Sequence, residues 1–183
     1  MLRARRILLS TEVVSTGTIG LLGPIYAIYV ERIGGGILEA SGTYAIFALT
    51  HGLLVMLLGK LTDRVKEQKY FIVAGFLISA IGFLGYLLVK NLLQLIFVQA
   101  VLGIAMAVMT PANYALYTKN LDRGKFAAQW GTMEGIYYTT QGLTAFAGGI
   151  VASYIGFQAI FIFMAGVSFL AGIYIWLLPK EIL

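Results

Sequence analysis

The sequence predicts an all-α membrane protein that crosses a bilayer with six transmembrane helices. Three observations point there. The chain is 60% hydrophobic and only 11% charged, whereas a soluble domain carries roughly a quarter charged residues, so there are too few charges to clothe a water-facing surface. Mean hydropathy is +0.88. Finally, the apolar residues fall into six stretches of the length that crosses a hydrocarbon core of ~30 Å at 1.5 Å per residue, about 20 residues each. Closed barrels are the other structure that spans a membrane, but their strands need only about 10 residues, and these runs are far longer.

In order, the spans run approximately over residues 7–30, 37–58, 70–89, 92–117, 129–154 and 157–178. The gaps between them are short, so consecutive helices are expected to be antiparallel neighbours. No Ser/Pro-rich linker divides the chain, which predicts a single six-helix transmembrane bundle over 1–183. The start, with Arg3, Arg5 and Arg6 ahead of an apolar run, imitates a signal peptide. The run extends to Tyr29 without an Ala-x-Ala site, too long for a signal core, and reads as a retained first span.

Basic residues set the expected orientation. Arg3, Arg5, Arg6, Lys60, Arg64, Lys66, Lys69, Lys119, Arg123, Lys125 and Lys180 fall on one side, and only Arg32 and Lys90 on the other. The positive-inside rule then predicts that both termini are cytoplasmic, and a plasma (inner) membrane is the expected location. The same scatter of basic residues argues against nucleic acid as a partner, although the pI is about 9.5. The sequence has no cysteine and one histidine, which excludes thiolate chemistry and leaves no histidine pair for a metal. It contains no phosphate-binding loop or cofactor motif. Ser168 has no histidine near it in sequence, His51 being the only one, so an intramembrane serine enzyme is not indicated.

Polar residues inside the spans carry the functional expectation, because an acid at a helix centre costs about 2.5–3.5 kcal/mol on insertion scales and should face the bundle interior or water. In the first span Glu12, Thr16, Gly23 and Tyr26 fall near one face, with Ser15 beside them. In the fourth, Gln99, Gly103, Met106, Thr110, Asn113 and Tyr117 follow steps of four and three, which aligns them on one face. Trp130, Glu134, Tyr137, Gln141, Thr144 and Gly148 do the same in the fifth. The third and sixth spans lack such stripes and are expected to face lipid. Plainer readings compete. Trp130, Tyr117 and Tyr154 near span ends fit an aromatic belt. Glu12 is within reach of the basic cytoplasmic residues, and His51, midway along the second span, fits a packing role. Many of the 22 glycines, Gly75, Gly82, Gly85, Gly148, Gly149 and Gly156 among them, are expected to let helices approach closely.

The link between the second and third spans reads Gly59-Lys60-Leu61-Thr62-Asp63-Arg64-Val65-Lys66-Glu67-Gln68-Lys69, with a glycine ending the helix and an acid four residues on. Here the chain resembles the major facilitator superfamily, whose signature in this loop is G-x-L-x-D-R-x-G-R-K or similar. Gly59, Leu61, Asp63 and Arg64 match, while Lys66 and Glu67 replace the second glycine and arginine. Gly23-Pro24, Leu102-Gly103, Pro111-Ala112, Gly148-Gly149 and the segment Gly156-Phe157-Gln158-Ala159-Ile160-Phe161 also look like the family. The resemblance covers nearly the whole chain as one half of the family fold, six helices in two three-helix repeats, where members generally have two such halves. Gln99 stands where the family's fourth-span pattern often has arginine, and Thr140, Thr144 and Ala145 break the antiporter pattern of the fifth span, so antiport is not indicated.

The resemblance implies a half-size secondary transporter in which two identical chains pair side by side in a bilayer and work by alternating access, with a central cavity lined by the first, second, fourth and fifth spans. Cavity candidates are Glu12, Thr16, Tyr26, His51, Gln99, Thr110, Asn113, Tyr117, Glu134, Tyr137 and Gln141, with Gly59, Asp63 and Arg64 as the conformational-switch loop. Acids with aromatics suit an organic cation or a proton-coupled neutral small molecule. The alternatives are one half of a split or longer transporter and a membrane scaffold that transports nothing.

Overall fold

The computed structural model of the chain describes residues 2–179 and 182; Lys180, counted above among the cytoplasmic bases, lies outside them. The helices are α1 (Leu2–Leu22), α2 (Tyr26–Arg32), α3 (Ile37–Thr62), α4 (Lys69–Gly85), α5 (Leu92–Lys119), α6 (Phe126–Tyr154) and α7 (Phe157–Leu177). α1 and α2 are one span interrupted by a 3-10 turn at Gly23–Ile25, where Pro24 occupies an early helical position and provides no N–H. α4 is prolonged by a second 3-10 turn, Tyr86–Leu88. Five of the six spans are both long and apolar enough to cross a membrane. The other, α6, has the length at 29 residues, but its polar stripe lowers its hydropathy.

Helix ends differ from the sequence reading at two places. Gly59 does not end α3; the helix runs through it to Thr62, with Asp63 following as its cap. α6 starts three residues earlier than expected, at Phe126. The start of α5 is held by a reciprocal cap: Asn91 Oδ1 accepts the Gln94 N–H at 3.0 Å, and Gln94 Oε1 accepts the Lys90 N–H at 2.7 Å, satisfying donors that the first helical turn leaves orphaned.

The packing order follows from the connections. α3 packs on α5, α5 on α4, α4 on α7, and α1 lies against α6 and α7. Exchange of the first three spans with the last three maps this pattern onto itself: second-with-fourth becomes fifth-with-first, third-with-fourth becomes sixth-with-first, and third-with-sixth is unchanged. The chain is therefore built as two three-helix repeats. α4 has nine buried residues and α7 eight, whereas α3 has three and α6 two. The long second and fifth spans thus flank the unit and expose most of their surface.

Glycines set the closest approaches. A Cβ on Gly148 would run into the Leu21 backbone carbonyl, and one on Gly75 would lie 2.9 Å from the Ala105 carbonyl oxygen. Gly82 and Gly85 press on Leu102 and Val98. Gly149 and Gly156 differ from expectation, since nothing lies within 4 Å of either Cβ position. Gly156 serves instead as the φ +104° residue that starts α7, a conformation open to glycine.

Two apolar clusters fill the interior. At the end away from the basic cluster Tyr29, Tyr86, Phe157 and Phe161 interlock, with Tyr86 stacked on Phe161 at 4.7 Å and Tyr29 edge-on to Phe161 at 5.0 Å. The other gathers Leu8, Ile72, Phe76, Met109, Tyr117 and Ile175 nearer the basic end.

The basic end is also tied by its polar side chains. Lys69 is 3% exposed, and its Nζ donates to the Leu178 carbonyl at 2.6 Å, capping the end of α7. Lys119 Nζ donates to Gln68 Oε1 at 3.0 Å, and Gln68 Nε2 to the Thr62 carbonyl at 3.1 Å. Arg5 pairs with Asp122 at 2.9 Å, and Gln129 Nε2 donates to the same carboxylate at 2.6 Å.

Candidate functional site

The polar residues of α1 and α5 meet because these two helices are the centre of the unit, one from each repeat. Glu12 is 9% exposed. Its Oε1 accepts the Thr16 hydroxyl at 3.1 Å, one turn along the same helix, and its Oε2 accepts Asn113 Nδ2 from α5 at 3.0 Å. Asn113 is fixed in turn by Thr11, whose Oγ1 lies 3.2 Å from Asn113 Oδ1. The Glu12 partners are neutral, so it is not held by the basic residues at the membrane surface. A buried carboxylate oriented by a hydroxyl and an amide is a site that can hold a proton or face a cation.

Glu12 borders two neighbouring cavities, which also share Tyr114 and Tyr137 as lining. One, of about 160 Å³, is lined by Glu12, Thr16, His51, Thr110, Asn113, Tyr137 and Gln141, with Tyr114 and Met106 completing the wall. His51 reaches in from α3, its Nε2 3.5 Å from Thr110 Oγ1, the long end of hydrogen-bonding range. The other, of about 200 Å³, lies toward the basic end and is lined by Glu12, Glu134, Trp130, Tyr114, Tyr137 and Tyr138. Two carboxylates and four aromatic rings thus share one space. Seven of the sequence-derived cavity residues line the first space, and Glu134 joins Glu12 in the second.

Tyr26 and Gln99 belong to a different space. Tyr26 Oη is 2.6 Å from Thr43 Oγ1, and both Tyr26 and Gln99 line a cavity of about 340 Å³ farther from the basic end. Tyr117 lines none of these cavities. It is fully buried, donates to the Gln129 carbonyl at 2.6 Å and packs edge-on against Trp130 at 5.2 Å, which makes it a support for the α5–α6 connection. Tyr114 and Tyr138 were missed by the sequence reading. Tyr114 sits one step off the stripe of α5, and its neighbour Asn113 alone carried the register signal.

Gly59, Asp63 and Arg64 do not join these cavities. Asp63 and Arg64 are exposed at the basic end, and among the described residues no side-chain bond ties Asp63 to the rest of the chain. Asp122 behaves oppositely. The hydrogen bond from Arg5, with that from Gln129, holds its carboxyl below the usual value of 3.8. Among the described residues no three acidic or histidine side chains gather as metal ligands.

The family model of the Major Facilitator Superfamily matches residues 8–182. An uncharacterized MFS-type transporter of Methanocaldococcus jannaschii is 27% identical over 164 residues, 90% of this chain and 42% of that protein. The multidrug resistance protein MdtG of Salmonella arizonae is 30% identical over 174 residues, 91% of this chain and again 42% of the relative. The chain therefore spans less than half the length of these two. The uncharacterized MFS-type transporter YitZ of Bacillus subtilis is 25% identical over 153 residues, 84% of this chain and 93% of its own length. A match that runs through all six spans, on a fold of two three-helix repeats, fixes the relationship: the chain belongs to the Major Facilitator Superfamily.

Proposed function

We propose that this chain is a half-size secondary active transporter of a small molecule, which works by alternating access as a homodimer in the plasma (inner) membrane with both termini cytoplasmic. The observation that carries the reading is the placement of the Glu12–Asn113 cluster. It lies on the α1/α5 face, with the well-buried α4 and α7 behind it and the exposed α3 and α6 on either side. Glu12 and Asn113 are themselves buried, but the cavity that Glu12 shares with Tyr114, Glu134 and Tyr138 reaches the exposed side of the unit at those three residues, and a second unit facing them would close the path. Apolar residues that a partner would cover along the flanks include Leu53 and Leu57 on α3 and Leu143 and Phe146 on α6, each more than half exposed. YitZ, a relative matched over 93% of its length, supports a functional unit of this size. The two relatives covered to 42% favour a second reading, in which this unit works with a different half.

Glu12 and Glu134 are the proton-coupling candidates, and the surrounding aromatics suit an organic cation or a neutral substrate. Asp63, free of partners within the described residues and beside the end of α3, would dock against the start of α6 of the second copy, residues 124–128, where a carboxylate near a helix N-terminus is favoured by about 0.3–1 kcal/mol. The purified chain in nanodiscs should have twice its monomer mass, and in liposomes it should accumulate substrate with a proton gradient. Glu12→Gln together with Glu134→Gln should abolish the gradient dependence. A monomeric mass with full transport sinks the homodimer, and gradient-driven uptake that survives both substitutions sinks the coupling role.

A further inference from the structure

We propose that the interior of a single six-helix unit is a second ligand chamber, which takes an uncharged apolar molecule carrying one hydrogen-bond acceptor, recognised by Ser168. The chamber is the cavity of about 340 Å³ between α1, α3, α4, α5 and α7, within the size range of small-molecule sites, about 300–1,000 Å³. No Asp, Glu, Lys, Arg or His lines it, in contrast to the Glu12 spaces, so an ion entering would lose its hydration with no opposite charge to offset the cost. The two regions touch along Ser15, Ile19, Met106 and Met109, which line both.

Ser168 marks where a ligand binds. The residue is 1% exposed and among the described residues its Oγ has no hydrogen-bond partner, although it lines the chamber. A buried hydroxyl is rarely left so. Other helical hydroxyls in this chain bond back to the carbonyl four residues earlier: Ser10 to Arg6, Thr132 to Ala128, and Ser153 to Gly149. Ser168 does not do so with Met164, which leaves its proton for an acceptor in the chamber. The chamber wall combines apolar side chains, Phe76, Phe83, Leu102 and Met164 among them, with the neutral polar groups of Ser79 and Gln99. Entry lies where the first span breaks: exposed Pro24 and Ala27 form one lip and exposed Ser41 and Tyr44 the other.

The proposal rests on neither transport nor the homodimer. The test uses benzophenone, a neutral diaryl ketone with one carbonyl acceptor, which on irradiation attaches readily to methionine. Met106, Met109 and Met164 line the chamber, whereas Met56 on α3 is 63% exposed and reports on the outer surface. The purified chain in nanodiscs is irradiated over a concentration series, and adducts are mapped by peptide mass spectrometry. Adducts at the chamber methionines should saturate while those at Met56 rise in proportion to concentration. Ser168→Ala should raise the half-saturating concentration about 2- to 12-fold, the span of one hydrogen bond, with Met56 unchanged, and Ser79→Leu, which fills the chamber, should remove the saturable component. Absent or unsaturable labelling at the chamber methionines overturns the proposal, and so does saturation that Ser168→Ala leaves unmoved, even if Ser79→Leu fails to fold.

Discussion

The sharpest test of the packing is a pair of adjacent substitutions on α6. Gly148 meets the first span so closely that a Cβ placed there falls on the Leu21 carbonyl oxygen, with the Leu21 carbonyl carbon at 2.7 Å and its Cα at 2.9 Å. All three are backbone atoms, which cannot rotate away as a side chain can, so Gly148→Ala has to push α6 off α1 along part of their crossing. Ordinary carbon–carbon contact is about 3.5–4.0 Å, so the helices must part by roughly 1 Å and thin the dispersion contacts on either side. Overpacking costs about 1–3 kcal/mol, and a clash with rigid backbone belongs at the upper end, about 2–3 kcal/mol, or about 30- to 160-fold in the folding equilibrium. Gly149, one residue along, has nothing within 4 Å of its Cβ position. Gly149→Ala should stabilise the helix by up to about 1 kcal/mol through propensity alone. Reversible unfolding of both variants in bicelles, followed by tryptophan fluorescence, reads the difference directly. Equal stabilities would mean that α1 and α6 do not cross at Gly148, and the packing order drawn above would be wrong.

Three further outcomes follow from the polar contacts. Asp122 has its folded-state carboxyl held below 3.8 by Arg5 and Gln129, so its contribution is present in full above that value and is lost as pH falls through the lower folded one. Hydrogen exchange around residues 122–129 should rise in that acid window, and Asp122→Asn should make exchange there higher and indifferent to acid. Lys69→Met keeps the buried stem but removes the donor to the Leu178 carbonyl; a hydrogen bond from a charged group is worth about 1.5–3 kcal/mol, so exchange at the last turn of α7 should quicken, and an unchanged rate refutes the cap. Glu12→Leu and Asn113→Leu should each destabilise the unit by leaving the other polar group unpaired, while the double variant should cost less than the sum by about 1–3 kcal/mol; additive costs would show that the two side chains do not touch.

The stripes on the fourth and fifth spans were readable because α-helical spacing alone places residues three and four apart on one face. Thr110 and Asn113 on α5, and Tyr137 and Gln141 on α6, accordingly open on one cavity. What spacing does not contain is which face of one helix meets which face of another. Tyr117 lies in register with Asn113, yet it is turned into the α5–α6 connection because the chain reverses there and its hydroxyl is taken by the Gln129 carbonyl. Gln99 lines the larger chamber because it lies eleven residues before Thr110 on α5, about 16 Å along the helix, and Tyr26 lines it for a different reason. The break at Gly23–Ile25 separates α2 from α1, and a helix that restarts no longer carries the face of the one before it. The basic residues were read as topology signals, and charge counting has no means of singling out Lys69, Lys119 and Arg5, whose partners are a carbonyl, an amide and a carboxylate supplied from 109, 51 and 117 residues away. Gly149 was misjudged because composition cannot distinguish a glycine that admits a neighbour from one that faces open space.

The packing of the unit is symmetric under exchange of its two repeats, but its chemistry is not. The first repeat brings the acid, Glu12, with Thr11 and Thr16 on the same helix. The second brings Asn113, which spans the gap with one hand on Glu12 and the other on Thr11. Neither three-helix repeat alone satisfies these groups, and a buried carboxylate without its donors costs several kcal/mol. The repeats are thereby bound to each other by the same residues that would do the functional work, so a substitution at Asn113 tests assembly and site together. The exposed flanks obey no such requirement. α3 and α6 present apolar side chains that a bilayer solvates as well as a partner does, so the pull toward a second copy has to come from the polar face and the loop acid rather than from those flanks. The decisive contacts of the proposed dimer would then be Asp63 and the surroundings of Glu134, and substitutions there are better probes of whether two copies pair than any on the apolar surface.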